Sequence, residues 1–336
     1  MENQREIQLK AWCEAVTGYA QGPLQPVSGD ASFRRYFRGS DGQRSVIAVD
    51  APPQQERLDI FVAVAEAYRA QGVPVPEIIA EHRGKGFMLL SDLGSTLLLS
   101  KLQRDNAPEL YRQAIDLLPG IMTVIKTAEG PLPAYDEALL QRELALFKDW
   151  LLERHLGLEL SPAEEQLWAD FCELMVSNAQ EQPQVGVHRD YHSRNLMVLT
   201  DNTLATIDFQ DAVLGPVTYD LVSLLRDCYV AWPTELVQEL AEYARTLLQE
   251  NNQLARTVSA EQWQRWFDLM GIQRHTKAAG IFARLCHRDG KDGYLNDVPR
   301  TLNYLVEVAA AYPELAQYHS WLNERVLPAW HQQSNT

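Results

Sequence analysis

Cysteine is scarce in this chain. Cys13, Cys172, Cys228 and Cys286 are widely separated and form no C-x-x-C pair. That spacing excludes a disulfide framework and predicts buried, reduced thiols. No uncharged apolar run approaches the roughly 20 residues that a membrane helix needs. The opening segment MENQREIQLK carries no apolar stretch of the signal-peptide kind, so a cytoplasmic location is expected. Positive charge is in deficit: 30 Lys and Arg stand against 45 Asp and Glu, a formal net charge of −15. Such a field argues against nucleic acid or an anionic membrane as the main partner. A small anion such as a nucleotide is still permitted, because a local site can oppose the global sign. Repeats and low-complexity segments are absent. An apolar fraction of 46% over 336 residues fits an ordinary soluble protein with one large domain or two lobes.

Chemistry-bearing residues concentrate in one stretch. Val187–Leu199 reads VHRDYHSRNLMVL, and Leu204–Phe209 reads LATIDF. Asp201-Asn202 is a strong turn pair between two short apolar runs, which predicts a β-hairpin. Asn195 then precedes the first strand and Asp208 follows the second, so the hairpin is expected to gather Asp190, Asn195 and Asp208 at one end. Protein-kinase catalytic loops have the same order. In that chemistry Asp190 accepts the proton of an attacking hydroxyl. Asn195 and Asp208 offer hard oxygen ligands to Mg²⁺. A rival reading takes His188, Asp190 and His192 as metal ligands on an extended segment; no further His or Cys cluster accompanies them.

Upstream, Arg5–Val16 has helical spacing. The small-residue loop Ser28–Ser32 leads into an aromatic strand over 33–38, a turn at Gly39–Gly42 and a strand over Arg44–Val49. Such a loop can point backbone N–H groups at phosphate oxygens, or it is an ordinary surface hairpin. Arg57–Gln71 predicts an amphipathic helix. Ile78–Ala80 and Phe87–Leu90 predict strands separated by a turn at Arg83–Gly86. The second strand runs into Ser91, Asp92 and Leu93, where a connector between lobes would meet adenine. The lobe boundary is placed near residue 94, giving an N-lobe over 1–94 and a C-lobe over 95–336 with the catalytic hairpin. From Leu97 onward the pattern is helical. Ile115, Leu118, Ile121, Met122 and Ile125 line one helix, Leu139–Leu156 forms another, and Ser161-Pro162 starts a third. Asp220–Tyr229 and at least four more helical segments follow. The expected class is α+β, a small β-rich lobe followed by a larger helical one.

On the segments DASFRRY (30–36), DAPP (50–53), His188–Leu196, IDFQDA (207–212) and GIFARL (280–285), the sequence resembles the aminoglycoside-phosphotransferase-like kinases over nearly its whole length. Within them it is most similar to the anomeric kinases of cell-wall sugar recycling, which phosphorylate N-acetylmuramate and N-acetylglucosamine at C1. The resemblance implies Asp190 as catalytic base, Asn195 and Asp208 as Mg²⁺ ligands, MgATP as donor and a small sugar as acceptor. Most members read H-G-D at this loop; Arg189 turns the triplet into H-R-D.

A second departure concerns lysine. Kinases carry one on the third N-lobe strand for the α- and β-phosphates. Here no lysine occurs between Lys10 and Lys85. Arg34, Arg35 and Arg38 are candidates to replace it, because strand alternation aims one or two of them inward; the alternative is that all three are solvated. Ser32 joins Arg34 and Arg35 as a nucleotide contact. Asp211 contacts acceptor or metal, or caps the helix after Pro216. His192 and Arg194 approach the transferred phosphate or are structural. Arg284 and Arg288, in a polar cluster running to Tyr294, bind sugar hydroxyls or a lactyl carboxylate, or form a solvated face. Trp150, Trp263 and Trp266 are assigned to core packing. Two functions of different class remain: a small-molecule kinase, and a pseudokinase binding module suggested by the missing lysine. Protein-kinase activity is disfavoured, since Gln210 replaces the Gly of D-F-G and no A-P-E segment follows.

Overall fold

A computed structural model describes residues 4–17, 24–27, 33–40 and 45–334. The chain forms two compact units. The first comprises Met1–Lys101, Thr123–Leu132 and Arg194–Ala212; the second comprises Leu102–Met122, Pro133–Ser193 and Val213–Thr336. The chain therefore passes between the units several times, where the sequence suggested one crossing near residue 94. The hairpin placed in a C-terminal lobe belongs with the N-terminal strands.

The first unit is built on an antiparallel sheet. Helix α1 spans Gln4–Thr17, β1 Gln25–Pro26, β2 Arg35–Ser40, β3 Ser45–Asp50, α2 Leu58–Ala70, β4 Ile78–His82 and β5 Phe87–Ser91. The sheet order is β1-β2-β3-β5-β4. Period-two alternation sorts its faces. Phe37, Val46, Ala48, Phe87 and Leu89 pack with Leu9 and Trp12 of α1. Buried Asp50 fastens that helix, accepting from Arg5 Nε at 2.9 Å. The opposite face turns Tyr36, Arg38, Ile47 and Leu90 into a cavity.

The predicted hairpin forms from Leu196–Val198 and Leu204–Thr206. Asn202 closes it in the left-handed conformation, φ 64°, which Asn tolerates better than most side chains. Backbone bonds moor it inside the first unit, from Val198 N to Thr96 O and from Thr206 N to Pro74 O, both 2.8 Å. Phe209 follows the second strand and is buried against Phe61 and Tyr68 of α2, ring centroids 4.8 and 5.8 Å away.

The second unit is mostly helical. Strands Gln184–Val187 and Val213–Pro216 pair antiparallel there. Ser161 starts Pro162–Glu181 with the full capping box, its side chain and that of Glu164 each taking the other's backbone N–H. Trp263 and Trp266 are buried as expected, and Trp150 is half-buried. Several boundaries differ from expectation. The helix ending at Thr123 leaves Ile125 half exposed. Asp220–Tyr229 is helical only over Tyr219–Leu225. Cys13 and Cys172 are buried but Cys228 and Cys286 are half-buried.

The helix expected over Leu139–Leu156 is two pieces, α-helical Glu137–Leu146 and π-helical Phe147–His155. A neighbour supplies the physical reason. The long helix Ala260–Asp289 crosses at this junction on Gly280, where a Cβ would come within 2.3 Å of Leu146 C and 2.4 Å of Phe147 N. Only a bare backbone fits against the wide π turn. Gly280→Ala should therefore destabilise the protein by about 3 kcal/mol, at the upper end of overpacking costs. A denaturant midpoint equal to that of the wild type would contradict this crossing.

Candidate active site

The cavity of the first unit has a volume of about 480 Å³, within the size range of small-ligand sites. Apolar walls come from Val27, Tyr36, Ile47, Phe61, Leu90 and Met197. Ser91, Asp92 and Leu93 lie on the connector side; Asn195 and Asp208, together with exposed Arg194, are also in the lining. The hairpin fixes the first two of these. Asn195 O accepts from Ile207 N at 3.0 Å, and Thr206 Oγ1 also donates to it. Asp208 is held in the left-handed region, φ 63°. An amide oxygen and a carboxylate on the wall of one cavity suit a hard divalent cation such as Mg²⁺.

The three arginines near β2 have different surroundings. Arg34 is 8% exposed, and its Nη2 donates to Asp208 Oδ1 at 3.4 Å. Its Nε lies 3.8 Å from Glu56 Oε2, just ahead of α2. Arg34 is thus a buried cation beside an expected metal ligand. Arg35 is drawn away, bonding Asp50 Oδ2 through Nε at 3.2 Å and lying over the Phe37 ring. Arg38 fastens the connector: Nε and Nη2 grip Asp92 at 2.6 and 2.9 Å, and Nη2 also reaches Gly94 O at 2.7 Å. The Asp92 carboxylate, shared also with Ser45, serves this clamp. Ser91 Oγ accepts from Glu77 N at 2.8 Å. Ser32 lies outside the described residues. Asp211 is exposed, with Gln210 Nε2 3.4 Å away. It does not cap the helix after Pro216, whose N-cap is Thr218 without a side-chain bond.

Asp190 stands in the second unit, on a loop fixed by a buried carboxylate. Asp220 accepts from His188 N at 2.6 Å and from Arg189 N at 2.9 Å. Burial raises the Asp220 carboxyl to about 7, although both backbone bonds oppose the shift. Ser193 N donates to Asp227 at 3.0 Å, and Tyr191 OH to Ala114 O at 2.8 Å. The metal-ligand reading of His188 fails locally. Its Nδ1 takes the Asp190 N–H at 3.3 Å, and its ring packs on Tyr191. His192 is half-buried against Tyr229 and donates its backbone N–H to Asp190 O at 3.0 Å.

Arg189 has φ 80°, a backbone region that favours glycine. Its side chain is tied down instead, Nη2 donating to Glu143 Oε1 at 2.6 Å. Lys277 Nζ reaches the same oxygen at 2.8 Å, and Tyr135 donates to Oε2. Burial alone would raise the Glu143 carboxyl; Lys277 and Arg189 overcome it and hold the group at about 2. The same cations act on Asp190. Burial raises that carboxyl as well, but Lys277, then His192, Arg189 and Arg274, bring it below the ordinary range. Arg288 is exposed and paired with Asp289 at 2.8 Å, while Arg284 is half-buried on the same helix.

With this geometry in place, the comparisons with known proteins are decisive. Residues 23–255 match the model of the phosphotransferase enzyme family. The protein belongs to that family. Relatives in this family include N-acetylmuramate/N-acetylglucosamine kinase of Pseudomonas aeruginosa, 46% identical over 94% of this chain and 95% of the relative. The protein of that name from Neisseria meningitidis is 39% identical, covering 96% of each. Among solved structures, ethanolamine kinase of Plasmodium vivax superposes with a TM-score of 0.63 at 10% identity, over 89% of this chain and 86% of that one. Choline kinase LicA of Streptococcus pneumoniae gives 0.61 at 13%, over 92% and 100%. The α+β kinase-like fold is therefore shared with distant phosphotransferases.

Sequence reasoning missed Glu143, Lys277, Arg274 and Asp220. Each is far from the H-R-D segment in sequence and looks like an ordinary helix residue. The one available signal was Arg189 itself, a charged residue at a glycine position that needs a partner. Because Lys277 is the largest charge holding Asp190 ionised, Lys277→Met should raise the Asp190 pKa. The carboxyl-carbon NMR titration of Asp190 should then move to higher pH than in the wild type. An unmoved titration in the folded variant would remove Lys277 from this role.

Proposed function

We propose that this phosphotransferase is an ATP- and Mg²⁺-dependent sugar kinase acting on C1 of N-acetylmuramate or N-acetylglucosamine. The observation that carries the reading is the 46% identity, over 94% of this chain, to a protein bearing that kinase name. The residues H-R-D-x-x-x-x-N and the later Asp208 supply the matching chemistry. Asp190 takes the proton of the acceptor hydroxyl. Among a free sugar's hydroxyls the anomeric one is the most acidic, so it suits a base kept ionised by neighbouring cations. Asn195 and Asp208 would hold the Mg²⁺, which neutralises phosphate charge when bound. The cavity of the first unit would take the nucleotide, with its apolar walls on the base. Asp211, His192, Arg194 and Arg288 are assigned to the acceptor or the transferred phosphate.

Arg34 takes the part of the missing lysine. A buried guanidinium beside Asp208 and Glu56 can bind a phosphate bidentately without a lysine on β3. The main motive for a pseudokinase, a site lacking a phosphate-binding cation, is thereby weakened. Arg34→Ala should raise the apparent KM for ATP about tenfold, the scale of a charge-assisted hydrogen bond. Arg35→Ala and Arg38→Ala should change it far less; equal effects in all three would refute the assignment.

The acceptor position is tested by product chemistry. Incubation with MgATP and each sugar should yield an acid-labile phosphate and lose the reducing end. Asp190→Asn should lower that turnover by ~10²–10⁴ while nucleotide still binds. A phosphorylated product that still reduces would overturn the C1 reading. Brisk turnover of an aminoglycoside, with none of either sugar, would overturn the acceptor class.

A further inference from the structure

The long helix Ala260–Asp289 carries Arg274, Lys277, Arg284 and Arg288. At 3.6 residues per turn these four fall within an arc of about 80°, so they make one cationic stripe. In a protein of formal charge −15 such a stripe opposes the global sign. Its first half is committed to the catalytic loop. Lys277 bonds Glu143 and also Tyr219 OH at 3.0 Å, while Arg274 lies over the Tyr219 ring at 5.0 Å. Both act electrostatically on Asp190. At the far end, Arg288 is matched by Asp289 through two bonds of 2.8 and 2.9 Å.

Whereas Arg274 at least lies over Tyr219, Arg284 has no ion pair or ring contact among the described residues. It is half-buried, and its Nε is a buried donor with no hydrogen-bond partner. Other arginines of the unit have at least one acceptor, even where a further nitrogen is unbonded: Arg226 Nη2 has Asp268 at 2.5 Å and Arg300 has Cys228 O at 2.6 Å. Burial and the nearby Arg288 charge lower the Arg284 pKa against the opposing pull of Asp289, and the guanidinium stays charged. A buried donor left unbonded is costly, and persists most readily where a ligand completes it. Arg284 follows Lys277 by two helical turns, about 10 Å. That spacing separates the end of the stripe near Asp190 from a second cation by about the span of a substituted hexose.

We infer that Arg284 binds the carboxylate of the lactyl ether on N-acetylmuramate, and so separates acidic from neutral acceptors at one site. The inference rests on the acceptor reading given above. With C1–OH at Asp190, the lactyl group projects along the stripe, and the guanidinium meets its two oxygens bidentately. N-acetylglucosamine has no such group and leaves Arg284 unused. Lys277 stays with Glu143 and the loop.

Arg284→Ala and Arg284→Lys decide the matter, with N-acetylmuramate, its neutral carboxamide and N-acetylglucosamine as acceptors. For Arg284→Ala, kcat/KM on N-acetylmuramate should fall about 10- to 100-fold. The carboxamide and N-acetylglucosamine should change less than about twofold, because the lost bond needs the carboxylate. Arg284→Lys should recover part of the loss, since the charge is kept and only the fork geometry is lost. Equal losses on all three acceptors, or no loss on N-acetylmuramate, would overturn the inference and leave the kinase reading standing. A wild type that phosphorylates N-acetylglucosamine but not N-acetylmuramate would overturn the inference too. Failure of the wild type on every sugar would overturn both.

Discussion

A single buried carboxylate, that of Glu143, governs the charge around the catalytic loop. It is 4% exposed and receives Tyr135, Arg189 and Lys277, while Gln273 supports Tyr135 at 3.0 Å. Without it, two cations would be desolvated side by side with no carboxylate bonded to either, and of the carboxylates only Asp190 acting on both through its charge. Breaking such a pair by removing one partner costs about 3–5 kcal/mol. With it, the cations are held rigidly and their field extends to Asp190, whose carboxyl they keep ionised. Asp220 completes the arrangement by fixing the backbone of His188 and Arg189. Position and charge of the proposed base therefore rest on two carboxylates with opposite tasks, one neutralising cations and one gathering N–H groups.

Local signals were legible in the sequence, because the physics behind them is local. The turn pair Asp201-Asn202, the helix start at Ser161-Pro162 and the strands over Arg44–Val49 and Phe87–Leu90 all rest on interactions within a few residues, and all are found within a residue of where expected. Of the three residues expected at the end of the hairpin, Asn195 and Asp208 are in the lining of one cavity, and Asp190 belongs to the other unit. What was hidden depends on contacts between distant segments. The π-helical Phe147–His155 exists against Gly280, more than a hundred residues away, and nothing in its own composition distinguishes it from an α-helix. Glu143 meets Arg189 and Lys277 from far along the sequence, as partners that no periodicity reveals.

The arginines of β2 show how a correct local rule can mislead about roles. Alternation does send neighbouring side chains to different surroundings, yet the destination depends on which carboxylate waits there. Asp50 takes Arg35, and Asp92 takes Arg38, the latter turning a connector into a braced segment. Arg34, just outside the strand and least bound by its geometry, is the one beside Asp208. Of the three candidate phosphate ligands, Arg38 is thus spent on bracing the cavity wall and Arg35 on Asp50 beside α1, away from the cavity.

The left-handed backbone of Arg189 also couples this loop to the helix that carries Lys277. Where resembling kinases have glycine, an arginine at φ 80° carries a backbone cost of about 1–3 kcal/mol. Its ion pair with Glu143 offsets that cost only if the acid is already present. Glu143, in turn, is intolerable in the interior unless a cation is there to meet it. Lys277 breaks the impasse, because it pairs with Glu143 without help from Arg189. The three charges are therefore coupled, and Glu143 keeps a counter-charge in Lys277 if Arg189 is replaced by glycine. With Lys277 removed, Arg189 is the one cation still paired with Glu143 among the described residues, so the same glycine substitution becomes far costlier.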